Sequence, residues 1–303
     1  DSSEVLKQAI KIFLLYSFLT LVIFIILNIF SIRSFNSLNL ALTLISSGGF
    51  LPVNDLSNIL KENSQIIIFS FLMLLSFFSI FFIYNLTFFK KKNLNFFYED
   101  LHLIIYYIFV VLIFFLFFSF NNNFTINLLS LSSSISNIGF SFNVDQSNLT
   151  FVFLILVIIG GSFFSTSSGL RFIKIYSLFK YSLNQILSFS RPKNVFTNKL
   201  IFTKINFDFS EINKYFLTII IFIISLSILV SLLSLSGISF EHSFKLSILT
   251  LMNTVNSSIY GLGDFNFNTL HFFTKYCLIL FMIIGRIELL TILLLMKKFL
   301  FKN

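Results

Sequence analysis

Along the 303 residues, apolar positions gather into long runs separated by shorter stretches in which Ser, Thr and Asn interrupt Leu and Ile. Six runs, at 12–30, 66–89, 103–120, 151–175, 215–235 and 276–296, are long enough to cross a hydrocarbon core, which takes about 20 residues of helix. Between the members of each successive pair lies a shorter, more polar run that ends at glycine: 36–50, 127–140 and 244–263. These are too short and too polar to span. The order long, short, long therefore recurs three times with a period of roughly 100 residues, an internal repeat that divides the chain into 1–95, 96–190 and 191–303.

A half-helix that enters a membrane and turns back needs protein or water around its backbone, because lipid offers no hydrogen-bond partner. The pattern thus predicts an all-α integral membrane fold in which three helix, pore-loop, helix repeats surround a water-filled path. The fourth long run is broken at depth by Gly160, Gly161 and a Ser/Thr cluster ending at Gly169, residues of low helix propensity that favour an unwound loop there. Because Gly161, Ser165 and Gly169 are spaced by four, small-residue helix packing is the competing expectation.

Composition agrees with lipid as the solvent: 56% of residues are apolar and only 11% charged. The 47 Phe with no Trp read as a coding bias and carry no function. The net charge of +9 is a matter of topology. With the N-terminus inside, sixteen Lys and Arg fall on one face against Arg33, Lys61, Lys245 and Lys275 on the other, so the short runs enter from the outer face. No nucleic-acid partner is expected; the bilayer is. The single Cys277 excludes a disulfide within the chain, and His102, His242 and His271 lack metal-ligand spacing, so neither a fixed metal site nor a cofactor is expected. A membrane-embedded lipid-modifying enzyme would need clustered His or acidic residues, and only Glu99-Asp100 near His102 comes close.

Each short run closes on a comparable tip: Ser47-Gly48-Gly49-Phe50, Asn137-Ile138-Gly139-Phe140 and Ile259-Tyr260-Gly261. A dehydrated cation needs a ring of oxygens in place of its water shell, and backbone carbonyls can supply it where glycine lets the chain adopt positive φ. The preceding half-helix adds the negative end of its dipole. Ordinary glycine-ended helix caps are the alternative for any one loop; recurrence in three repeats favours a filter.

Here the sequence resembles the membrane subunits of the Trk/Ktr/HKT potassium uptake systems. Residues 41–50 look like the family's second filter, usually S-T-G-G-F; 133–140 look like the third; 256–263 occupy the fourth, with Gly261 assigned as its glycine and the register open by two residues. Residues 160–174 resemble the signature G-G-x-x-G-S-T-x-G-G-I-K-x-x-R, and Gly285-Arg286-Ile287-Glu288 the G-R-x-E of the last helix. Phe164 stands where the signature has Gly, Ser168 replaces another Gly, and Arg171 and Lys174 exchange the usual Lys and Arg.

The resemblance implies potassium transport, with sodium or unselective cation passage as the alternative, and four pseudo-symmetric repeats of which the first is absent. The start at Asp1 fits a chain lacking its natural beginning. It further implies a bacterial cytoplasmic membrane, a homodimer, a cytosolic nucleotide-binding regulatory subunit, and a movable gate that includes Gly160, Gly161, Ser165, Thr166 and Gly169.

Arg286 lies ten residues from either end of its run, roughly 15 Å at 1.5 Å per residue, too far to snorkel. A mid-helix Arg costs about 2.5 to 3.5 kcal/mol on insertion, so it should face water or a partner. It is expected beneath the filter as an electrostatic barrier, with Glu288 on another face anchoring the helix to a neighbour.

Overall fold

The computed structural model describes residues 2–53, 55–80, 94–118, 124–142, 149–189, 209–263 and 265–287. Among the described residues ten α-helices carry the fold and no strand forms. In chain order they are α1 (Ser2–Ile29), α2 (Ser34–Ser46), α3 (Asn63–Met73), α4 (Leu94–Phe118), α5 (Phe124–Ile135), α6 (Thr150–Ile158), α7 (Phe172–Ser188), α8 (Phe209–Leu235), α9 (Phe240–Leu251) and α10 (Phe272–Ile287). Among the described residues three segments are long and apolar enough to cross a membrane, Ala9–Ile29, Glu99–Phe117 and Glu211–Leu235, one opening each repeat.

Each of these helices is apolar on all sides yet buries only a stripe. On α1, Leu19, Ile23 and Leu27 recur every fourth residue and pack inward, whereas Phe13, Leu14, Phe18, Leu21 and Ile25 are exposed. An apolar exposed face of that extent is stable only against hydrocarbon.

The short helices α2, α5 and α9 are the reverse case, more polar and more buried. Over 127–135 of α5 every residue is buried, including Asn127, Ser130, Ser132, Ser133 and Ser134. Hydroxyls survive there by bonding within their own helix: Ser130 donates to Ile126 O, Ser134 to Ser130 O, Ser247 to Ser243 O and Thr250 to Leu246 O. The core divides in two. One cluster joins α1, α2 and α3 with Leu129, Ile138 and Phe140 of the next repeat; the other joins α4 to α10. Gln65 stitches the first repeat at its outer end, closing a capping box at the start of α3 and donating to the Phe30 carbonyl after α1.

The fourth long run departs from a plain span. α6 stops at Ile158, 159–171 runs without helix, and α7 resumes at Phe172. The small residues in the break are therefore not one face of a helix, and their spacing by four packs no neighbouring helix.

Candidate functional site

Three helix ends share one hydrogen-bond pattern. After α2, Ser47 N–H donates to Leu44 O and Gly48 N–H to Thr43 O; after α5, Asn137 N–H donates to Ser134 O and Ile138 N–H to Ser133 O. After α9 the same pair recurs at Asn253, donating to Thr250 O, and Thr254, donating to Leu249 O. Ser47, Asn137 and Asn253 are all left-handed, at φ 48, 59 and 50. Each is the turn residue of the same helix-ending motif, so all three short helices aim their carbonyl ends, and the negative ends of their dipoles, at one region.

The tips touch. A Cβ on Gly49, at φ +70, would collide with the Ile138 carbonyl and the Val255 side chain; one on Gly139, at φ +89, would collide with the Val255 backbone. Val255 N–H reaches the Ile138 carbonyl in a long contact of 3.4 Å. Residues 47–50, 137–140 and 253–255 therefore converge on a shared centre.

This shifts the third tip. Ile259, Tyr260 and Gly261 do not reach the centre: Ile259 and Tyr260 are buried in the core, and the Tyr260 hydroxyl donates to Ser134 Oγ behind α5. Gly261 ends a short 3-10 turn, facing the Lys245 ammonium and Thr150. The physical reason is that a large apolar pair is more stable in the core than at a polar axis, while Asn253 tolerates the left-handed turn almost as well as glycine. Asn253 is further held by donating from its side-chain amide to the Met282 carbonyl of α10. The signal that locates this tip is an Asn one residue beyond the apolar periodicity, as at Asn137. Its cost is a Val where the other two tips have glycine. Tyr260→Phe is accordingly expected to cost about 1 kcal/mol of stability by thermal melting and to leave ion preference in tracer flux unaltered.

Beneath the centre lies the break at 159–171, folded into a compact loop. Gly160 N–H donates to Leu170 O and Leu170 N–H to Ile158 O, pinching the loop at its neck. A side chain at Gly160 would meet the Ser168 carbonyl and one at Gly161 the Phe77 carbonyl, so the neck closes only on glycine. One nitrogen of the Arg171 guanidinium donates to Ser162 O, Ser165 O, Ser165 Oγ and Ser167 O at 3.0–3.2 Å, drawing the loop's carbonyls around a charge. Ser165 and Ser167 hydroxyls bond each other, and Thr166 passes its carbonyl to Ser47 Oγ at 2.9 Å, so this loop hangs directly from the first tip.

Arg286 joins the same layer. Its Nη1 donates to Ser168 Oγ at 2.9 Å and Ser47 Oγ at 3.3 Å, and its Nη2 to the Ser46 carbonyl at 3.0 Å. A cation on α10 thus binds the carbonyl end of α2 and the far limb of the loop, uniting the last repeat with the first two. The side chain is exposed along a groove of about 820 Å³ between 46–50 and α9–α10, lined also by Thr254, Val255, Asn256 and Phe267. Glu288 lies outside the described residues. Of the enzyme-like cluster, both carboxylates are engaged by backbone: Glu99 accepts from Phe163 N–H and Asp100 from Ser79 N–H, while the His102 ring lies against Tyr176.

Neither a described protein family nor a curated protein matches the sequence. Solved structures do. The fold is similar to that of the potassium transporter TrkH from Vibrio parahaemolyticus, with a TM-score of 0.77 and 19% identity over 96% of this chain. The chain has that all-α integral-membrane architecture, and it spans 64% of the length of TrkH.

Proposed function

We propose that this chain carries monovalent cations, potassium foremost, through the centre where the tips meet, with the loop at 159–171 as gate and Arg286 as the fixed positive charge beneath it. The observation that carries the reading is the recurrence of one helix-end motif at Ser47, Asn137 and Asn253, with the three tips in contact above a glycine-necked loop. Three carbonyl-ended helices aimed at one point make a region of negative potential that attracts a cation, and tip carbonyls can replace its hydration. Arg286 beside the path sets the opposing barrier.

In this reading the groove beside Arg286 is the place of a further helix, loop, helix unit, which would bring the fourth set of oxygens. The setting is a bacterial cytoplasmic membrane, with a second copy of the chain and a cytosolic nucleotide-binding subunit as partners. A second reading, sodium or unselective passage, is favoured by one feature: Val255 replaces glycine at the third tip, so its backbone lacks the positive φ of Gly49 and Gly139.

Tracer uptake by proteoliposomes separates the two. Potassium selectivity predicts that a large excess of Na⁺ leaves K⁺ entry nearly intact, whereas equal competition favours the second reading. With the groove-filling unit supplied as a separate polypeptide, no flux of either ion in any combination would sink both.

A further inference from the structure

Two acids sit where the membrane fold has least use for them. Glu99 and Asp100, consecutive on the first turns of α4, are 4% and 0% exposed. Each accepts from a backbone N–H on a different segment: Glu99 Oε1 from Phe163 of the loop, Asp100 Oδ1 from Ser79 just beyond α3, both at 2.9 Å. Those two segments are also sewn to each other. Ser162 N–H donates to Phe77 O, Ser167 N–H to Ser76 O, and Ile80 N–H to Phe164 O. The loop and residues 76–80 therefore form a seam, and neighbouring carboxylates on one helix grip its two sides.

We propose that Glu99 and Asp100 are a releasable latch that holds the loop at 159–171 against residues 76–80, and so act as positioning residues for the gate; the inference rests on the reading of that loop as the gate. Charge-assisted bonds from backbone amides to carboxylates are short and strong, which favours the closed seam. Burial works the other way. Two adjacent carboxylates have left water, and the second oxygen of Asp100 is buried with no hydrogen-bond partner among the described residues. Separation of the seam returns both acids to water and recovers that loss. The latch thus opposes a directional gain with a desolvation penalty, the balance a reversible closure requires, whereas a purely structural anchor has no need of the unsatisfied oxygen. It also grips from outside the loop, where Arg171 grips from within, so the loop can leave the seam as a folded unit with its Arg171 contacts intact.

The test is hydrogen exchange of the purified 303-residue chain, read by mass spectrometry over 159–171, beside cation flux in proteoliposomes. Glu99→Ala is expected to speed exchange in that segment about tenfold while α8 and α9 exchange as before. Glu99→Gln keeps the acceptor and should stay within about threefold of the parent. Should the alanine variant fail to fold, Glu99→Asp keeps the charge but withdraws the carboxylate from Phe163, and the same acceleration is expected. Unchanged exchange in a folded Glu99→Ala or Glu99→Asp protein overturns the latch whatever the flux. Faster exchange with unchanged flux supports the latch and counts against the loop as gate.

Discussion

On the proposed reading, replacing Arg286 by alanine is expected to raise passive cation leak by roughly thirtyfold, because a unit charge taken to act over about 8 Å at an effective dielectric of about 20 opposes a passing ion by about 2 kcal/mol. The guanidinium is fixed by three bonds to Ser46 O, Ser47 Oγ and Ser168 Oγ, so its charge stays at the layer just beneath the tips. Removing it also frees the carbonyl end of α2 and the loop limb carrying Ser168, so the proposed barrier and gate are expected to weaken together. Arg286→Lys separates the two effects: a lysine keeps the charge but lacks the fork that reaches two partners at once. Leak through the lysine variant should fall between the parent and alanine. Voltage-driven tracer efflux from loaded liposomes measures all three, and a lower leak in Arg286→Ala would contradict the barrier.

The second large effect is at the tips and separates two registers. Gly139→Ala is expected to abolish measurable uptake, because φ +89 is strained for any L-residue and the new Cβ would collide with the Val255 backbone, which cannot swing aside as the end of a flexible side chain does. The strain alone is about 1–3 kcal/mol, and it falls on the point where the tips meet. Gly261→Ala is expected to be mild. Its φ of +66 lies in the left-handed region at about 1–2 kcal/mol, and the nearest atom is the flexible end of Lys245 at 3.0 Å. Uptake should fall no more than about threefold, since 1.4 kcal/mol is already a tenfold change and that cost falls on stability away from the path. The opposite ranking would return the third tip to residue 261.

Much of this arrangement is legible in the sequence, because it is local. Runs of Leu, Ile and Phe fix the spans, Ser and Thr mark the buried short helices, and Gly160, Gly161 and Gly169 announce a break that the structure places at 159–171. The third tip is misread for a specific reason. Gly261 is a stronger turn signal than Asn253, yet both adopt the left-handed conformation, and only the three-dimensional packing of Tyr260 against Ser134 shows which faces the centre. The partners of Arg286 lie about 120 and 240 positions away, at Ser168 and at Ser46 and Ser47, beyond any periodicity. Glu99 and Asp100 read in the sequence only as the nearest approach to an enzyme-like cluster, beside His102, because the amides they hold belong to segments that no pattern links to them.

The groove beside Arg286 has a final consequence for how the molecule exists in a cell. Its walls include the irregular backbone of 46–50 and 253–256, whose peptide groups hydrocarbon cannot solvate. On the proposed reading, in which a further helix, loop, helix unit fills the groove, the chain inserted without that unit would present this edge to acyl chains, and its lifetime would depend on how much of the unit is present, as mass action requires. On that reading, abundance of this polypeptide is expected to track co-expression of the groove-filling unit, even where neither transcription nor translation of its own message changes.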